Sequence, residues 1–84
     1  MALPLEPVTL TPGQLQELNN KLSTMRHDIN NHLSLIVAAV ELIRFKPQTS
    51  ERWLSEIAQQ SPRIAEAIRK FSTEFERTCG ITKP

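Results

Sequence analysis

The run Leu22–Ile36 reads LSTMRHDINNHLSLI and contains both histidines of the chain, His27 and His32. An unperturbed imidazole is largely neutral at pH 7, so one ring nitrogen has a free lone pair. Asp28 follows His27, and a carboxylate bonded to the other ring N–H would fix the tautomer and make the attacking nitrogen more basic. Asn31, one helical turn further on, can donate an amide N–H to a phosphoryl oxygen without adding negative charge. These residue types at this spacing suit phosphoryl transfer through His27.

Helical spacing predicts that His27 faces solvent. Apolar residues recur at alternating intervals of three and four, which is typical of one buried helical stripe: they are Leu15, Leu18, Leu22, Met25, Ile29, Ile36 and Ile43. When Leu15 is position a of a heptad, His27 is at position f, far from the buried seam. The opposite face is polar and contains no carboxylate or ammonium: it is formed by Asn20, Ser23, Thr24, His27, Asn30, Asn31 and Ser34. Such an uncharged face indicates a docking surface.

The two histidines have different expected roles. An exposed histidine is often an ordinary surface residue, but the mid-helix position, the adjacent acid and the uncharged surroundings favour chemistry at His27. His32 falls at position d, so we expect it to be buried or half-buried and to face a dimer mate rather than to be a second phosphoacceptor. The spacing of five residues turns the two rings to different faces, so we expect no metal site.

The first helix is predicted to follow an extended arm. Residues 1–10 contain two prolines and show no helical period, which indicates an extended N-terminal arm. Thr11 and Pro12 then form a typical helix start, with the threonine as N-cap and the proline at the first helical position. We expect this helix to run to about Phe45.

A short breaker separates it from a second helix. The segment Lys46–Ser50 contains Pro47, which disfavours helix at the residue before it, and its threonine or serine can cap the next helix. The same spacing of three and four residues then continues through Leu54, Ile57, Ser61, Ile64, Ile68, Phe71 and Phe75. This pattern predicts a second amphipathic helix.

Pro62 interrupts the second helix, where a proline costs about 3 kcal/mol. Either the helix kinks there, or Ser61 caps a separate third helix; the unbroken heptad phase favours one kinked helix. Gly80 is expected just past the last turn. The sequence is therefore divided into the arm, a helical domain over 11–80 and a tail over 81–84.

The predicted fold class is all-α: an antiparallel two-helix hairpin that dimerises into a four-helix bundle. Each apolar stripe is wider than one neighbouring helix covers. Domains of this size often meet that shortage by oligomerising, and a two-fold dimer is the simplest closed arrangement.

Composition limits the class of partner. The chain has 84 residues, 39% apolar and 23% charged, with a net charge of +1, which indicates one small globular domain and gives no reason to expect a nucleic-acid or membrane partner. The single cysteine, Cys79, cannot form an intrachain disulfide, which suits the cytoplasm. The longest apolar run, Leu35–Val40, is far shorter than the roughly 20 residues of a membrane span. We expect a cytoplasmic protein that needs no cofactor.

The run Arg26–Leu33 resembles the H-box of the dimerisation and histidine-phosphotransfer domain of sensor histidine kinases. The resemblance covers the whole hairpin in layout and about eight residues in detail. It implies that His27 accepts phosphate and that Asp28 is its acid/base partner. Asp28 and Asn31 also match the acid-x-x-Thr/Asn pattern associated with dephosphorylating a partner regulator. His32 stands where the motif usually has a proline.

Under this resemblance the phosphate must come from another protein or domain. The sequence has two glycines, Gly13 and Gly80, and no Gly-rich phosphate loop, so it contains no nucleotide-binding module and is not a complete kinase. We expect the donor to be a receiver domain of a response regulator, or a separate histidine-kinase catalytic domain. Candidate partner-binding residues beside His27 are Arg26, Asn30 and Ser34 on the first helix and, opposite them on the second, Arg69 and Lys70.

Two other interpretations remain open. One is a non-catalytic helical dimer that acts as a docking or regulatory scaffold for kinases or receivers. The other is a plain helical dimer whose histidine motif is coincidental. Phosphorylation of His27 by a phosphorylated receiver would separate the first hypothesis from both.

Overall fold

The computed structural model describes residues 3–81 and consists of two long antiparallel helices. Helix α1 spans Pro12–Phe45, a 3₁₀ turn spans Pro47–Thr49, and helix α2 spans Ser50–Cys79. Residues 3–11 precede α1 without helix or strand, and no strand occurs anywhere in 3–81. The all-α hairpin predicted from the sequence is confirmed. The remaining residues of the predicted arm and tail, 1–2 and 82–84, lie outside the described residues.

The start of α1 is fixed by a reciprocal pair of hydrogen bonds. The Thr11 hydroxyl accepts from the Gln14 backbone N–H at 3.1 Å, and the Gln14 side-chain oxygen accepts from the Thr11 backbone N–H at 2.8 Å. This capping box satisfies two amides that would otherwise lack partners at the helix end. The predicted N-cap at Thr11 is therefore confirmed.

The turn between the helices uses its hydroxyl groups differently from the prediction. The Thr49 hydroxyl donates to the Lys46 carbonyl at 2.7 Å, and the Ser50 hydroxyl donates to the Pro47 carbonyl. Thr49 stands at the N-cap position of α2, as predicted, but neither side chain bonds to the first amides of the helix. The reason is local: a one-turn 3₁₀ helix leaves its carbonyls exposed within reach of these hydroxyls.

Helix α2 continues through Pro62 and stops at a glycine. Because one helix spans both sides of the proline, the preference for a single second helix over a third one is confirmed. Gly80 has a φ of 70°, the left-handed conformation that favours glycine, and the Ile81 N–H donates to the Glu76 carbonyl at 2.8 Å. This is the predicted helix end, closed by a Schellman-type bond.

The hairpin is a layer one helix thick. Its extents are 58 × 28 × 11 Å, and its radius of gyration is 18.1 Å, whereas a compact chain of this length has about 12 Å. The solvent-accessible surface is 6495 Å², against about 5,100 Å² for a compact monomer of 9.6 kDa. Leu18 and Ala39 are the only buried apolar residues within 3–81. Most apolar side chains therefore have cover on one side at most.

The exposed apolar residues of the two helices form two separate surfaces. Helical spacing places one set on the same flank of both helices; we call this the apolar face, and it consists of Leu15, Leu33, Val37, Val40, Leu54, Ile68 and Phe75. The second set lies on the other flank of α1 near the turn; we call it the outer stripe, and it consists of Leu35, Ala38, Leu42 and Phe45. From Leu33 to Phe45, α1 is thus apolar on almost every side, which is typical of a helix that becomes covered by other protein.

Candidate functional site

His27 projects from the middle of α1 into solvent. Its side chain is 74% exposed, as the heptad position predicted. Asp28 is 47% exposed, and its Oδ1 lies 3.8 Å from Nδ1 of His27. That separation is too long for a hydrogen bond, so the bond expected to fix the His27 tautomer is not formed in this structure. The two groups are nevertheless close enough for a small side-chain rotation to bring them together.

The surface around His27 is polar and uncharged, as predicted. The neighbouring side chains of this face are all exposed: they are Asn20, Ser23, Thr24, Asn30, Asn31 and Ser34. Arg26 lies at the edge of the face, and its Nη2 donates to the Ser23 hydroxyl at 3.3 Å. A protein that approaches His27 therefore meets amides and hydroxyls rather than a layer of lysine and glutamate.

Two side-chain contacts between the helices define which part of α2 lies level with His27. The Lys21 ammonium donates to the Glu74 carboxylate at 2.8 Å, and the His32 Nδ1 lies 2.7 Å from the Gln60 Oε1. Counting inward from these pairs along antiparallel helices places residues 65–68 of α2 level with His27. Arg69 and Lys70, which were predicted to lie opposite His27, begin one residue beyond this level.

Asp28 and Lys70 lie on the same flank of the hairpin. Both line two adjoining grooves between the helices, of about 350 and about 400 Å³. Lys70 makes no ion pair within residues 3–81, whereas Arg69 is held by Glu66 through contacts of 2.5 and 2.9 Å. The hydrogen bond from Arg69 lowers the pKa of Glu66, and the same bond raises the pKa of Arg69. Of the two predicted cations, Lys70 is the one that the structure leaves available.

A cluster of charged side chains crosses the 350 Å³ groove, which His32 does not line. Glu74 receives the Lys21 ammonium and also contacts the Arg77 guanidinium, and Glu17 lies 3.6 Å from Lys21 on its own helix. The hydrogen bond from Lys21, followed by that from Arg77, lowers the pKa of Glu74. The hydrogen bond to Glu74 raises the pKa of Lys21. Both shifts show that the charged forms are favoured in this position.

His32 contacts its own hairpin. The ring is half-buried, as expected, but its partner is Gln60 of the same chain rather than a residue of a dimer mate. Gln60 is only 2% exposed, and its Nε2 donates to the Glu56 carbonyl at 3.4 Å. Ser61, which was assigned to the buried stripe of the second helix, is exposed instead.

The sequence contained signals for the residues that were missed. Besides the stripe that was chosen, a second repeat of three and four runs through the side of α2 that faces α1: it is Ile57, Gln60, Ile64, Ala67, Phe71 and Glu74. Two of its six members are polar, so its apolar pattern is weaker than that of the stripe through Leu54, Ile68 and Phe75. The outer stripe was likewise visible as a repeat that continues from Thr24, Asp28 and Asn31 into apolar residues.

Metal sites and membrane spans were the two other possibilities that the described residues allow to be checked. This part of the chain contains no group of three or more side chains placed to hold a metal ion. Neither of its helices is long and apolar enough to cross a membrane. Comparison of the chain with protein-family models, with curated proteins and with solved structures finds no match.

Proposed function

We propose that this chain is a histidine-phosphotransfer module that accepts phosphate on His27 and exchanges it with the aspartates of response-regulator receiver domains. The observation that carries the proposal is the imidazole that projects, 74% exposed, from the middle of an uncharged helical face. An aspartyl phosphate belongs to a folded domain, so the group that attacks it must protrude from a surface that the domain can approach. His27 meets that requirement, and Asp28 stands beside it.

The chemistry assigns a separate task to each ring nitrogen. Asp28 lies on the Nδ1 side of His27, and catalytic hydrogen bonds often shorten only when the partner binds. With the proton held on Nδ1, Nε2 attacks phosphorus: an N–P bond forms, the P–O bond to the aspartyl group breaks, and the aspartate leaves with the electron pair. The ring then carries a positive charge, which the Asp28 carboxylate offsets.

Three further side chains are suited to the phosphoryl group and its protein. Asn31 is exposed one turn after His27, where its amide can orient a phosphoryl oxygen or a water molecule. Lys70 shares two grooves with Asp28 and has no ion-pair partner within 3–81, so it is available to negative charge. Arg26 lies at the edge of the same face. Asn30 and Ser34 complete the polar surface that we propose contacts the receiver.

The apolar face supports assembly of two hairpins into a four-helix bundle. The chain exposes about 1,400 Å² more surface than a compact monomer of its mass would. A standard interface buries about 800 Å² on each partner, so a two-fold dimer through this face would remove more than half of the excess. His27 lies about 80° to 140° around α1 from that helix's members of the apolar face, so it would stay accessible in such a dimer.

The outer stripe supports a docking role for the C-terminal half of α1. Thr24, Asp28 and Asn31 continue directly into Leu35 and the rest of the stripe at the same helical spacing. A receiver that covers His27 would therefore meet polar groups at the reacting centre and apolar side chains toward the turn. The apolar part would supply affinity, while the polar part would supply chemistry.

Transfer from a labelled receiver tests the proposal. Wild-type protein should acquire phosphate that is acid-labile and base-stable, as expected for phosphohistidine, and His27→Gln should acquire none. His32→Gln is the matched control, because it removes the other imidazole of the chain and should still be labelled. Asn31→Ala should slow the loss of phosphate from the receiver while sparing phosphorylation of His27.

The non-catalytic scaffold is the second candidate, and its support is that no hydrogen bond joins His27 to Asp28, whose Nδ1 and Oδ1 lie 3.8 Å apart. A scaffold would bind a receiver or kinase through the same surface without taking phosphate. Receivers that bind wild type and His27→Gln equally well, with no label on either, would establish this alternative. The class of partner and the single cysteine suit the cytoplasm in both cases.

A further inference from the structure

Two interhelical contacts bracket His27. Within residues 3–81 these are the only side-chain hydrogen bonds that join α1 to α2: Lys21 to Glu74 lies six residues before His27, and His32 to Gln60 lies five residues after it. Apolar side chains, among them Met25 and Phe71, also line the space between the helices. Apolar contacts are non-directional, so they tolerate small rotations and slips that a hydrogen bond does not.

The pair of His32 and Gln60 is the more constrained of the two. The Gln60 amide nitrogen donates to the Glu56 carbonyl, so its oxygen is the atom that faces His32 and accepts a hydrogen bond from the Nδ1–H of the ring. Because Gln60 is 2% exposed, water has little access to replace His32 if the helices shift. An unpaired oxygen at this depth is costly, which makes alternative alignments of the helices unfavourable.

We propose that His32 and Gln60 are positioning residues that set the rotation and register of α1 at His27. The inference rests on the proposed phosphotransfer function, to which it adds two residues that do not touch the phosphoryl group. Buried polar pairs in helical seams commonly select one alignment at some cost in stability. Here the selected alignment keeps Asp28 and Lys70 in shared grooves, on the flank of α1 next to His27.

The replacement of both residues by leucine separates positioning from stability. His32→Leu alone strands the Gln60 oxygen and should destabilise the hairpin. His32→Leu with Gln60→Leu leaves no buried polar atom unpaired, so the helicity, the solution mass and the melting temperature should stay close to wild type. The single-turnover rate of phosphate transfer to His27 should nevertheless fall by about 10- to 100-fold, because small displacements of a nucleophile are costly. His32→Gln keeps a donor toward Gln60 and should restore the rate to within about threefold of wild type.

A distance measurement tests the alignment without phosphotransfer. Spin labels at Thr24 and Thr73, exposed positions that line the same groove, report the register of the two helices after Cys79 is changed to serine. The distance distribution should be narrow in the wild-type background and should broaden or shift in the double leucine variant.

The outcomes are distinct. A folded double variant that transfers phosphate at the wild-type rate, or that keeps the wild-type distance distribution, overturns the positioning role. If wild-type protein takes no phosphate, the proposed function fails, and the spin-label distances alone decide whether His32 and Gln60 set the register.

Discussion

A glutamate at position 37 should separate two hairpins without unfolding either one. Val37 is 62% exposed on the apolar face of α1, where we propose that a second copy packs. Leu35, two residues earlier, is 53% exposed on the opposite flank, in the outer stripe. The two positions share a helix and an apolar character, so Leu35→Glu is a matched control for Val37→Glu.

The size of the effect follows from burial. Covering a valine completely contributes about 1.5 kcal/mol, so covering the exposed part of Val37 contributes about 1 kcal/mol in each copy. The new carboxylate must in addition be desolvated or be displaced to the rim of the interface, at about 1–2 kcal/mol per copy. A two-fold dimer carries the change twice, which gives about 4–6 kcal/mol and roughly 10³- to 10⁴-fold weaker association.

Sedimentation equilibrium between about 1 and 200 μM measures this directly. Wild type and Leu35→Glu should show twice the chain mass of 9.6 kDa, and Val37→Glu should show the single mass at the same concentrations. Circular dichroism would verify that helix is retained at the highest concentration. A monomeric wild type, or a monomeric Leu35→Glu beside a dimeric Val37→Glu, would refute the assignment of the apolar face.

Four other predictions follow from individual contacts. Leu35→Glu should weaken receiver binding by about tenfold, as measured by calorimetry, because it places a carboxylate in the outer stripe; unchanged affinity would exclude that stripe from docking. Thr11→Ala removes the capping box and should lower the free energy of unfolding by about 1 kcal/mol in urea titrations, whereas an unchanged midpoint would show that the helix start contributes nothing. Pro62→Ala should raise the free energy of unfolding by about 1–2 kcal/mol, because it restores a backbone hydrogen-bond donor inside α2. The gain is only partial, since alanine also makes the unfolded chain more flexible, and a lower free energy of unfolding would contradict this prediction. The pKa of Glu74 is lowered from 4.5, so its stabilising contribution is present above about pH 4.5 and is lost as the pH falls through the lowered value. Glu74→Gln should therefore flatten the acid side of the stability profile, most clearly at low salt, and an unaltered profile would exclude the contact with Lys21 as its cause.

The helices and their ends were predictable because local signals determine them. Thr11 caps the first amides of α1, next to Pro12, and Gly80 takes the left-handed conformation that ends α2. Such signals act over only a few residues. The unbroken heptad spacing correctly predicted one second helix in spite of Pro62. A proline removes one backbone hydrogen bond, whereas the apolar residues along the whole helix still favour its continuation. Thr49 was correctly expected at the start of α2, but its hydroxyl donates to the Lys46 carbonyl of the turn instead of accepting from the helix.

The side of α2 that meets α1 was harder to predict. Its apolar residues serve two surfaces that lie less than a third of a turn apart, and a single sequence merges them into one wide stripe. Ser61 was therefore placed inside, although Gln60 is the buried residue. A buried glutamine is recognisable only with its partner, and His32 is 28 residues away in the chain. The outward position of His27 needed no such partner, which is why its exposure was predicted.

The small thickness of the hairpin also affects how it folds. A layer of 11 Å has two surfaces and almost no interior, so an isolated copy gains little free energy from burying side chains. A second copy on the apolar face, as proposed, would then add to the stability of each hairpin as well as to recognition. For such a chain, abundance itself adjusts stability: dilution would lower the free energy of unfolding, and synthesis would raise it.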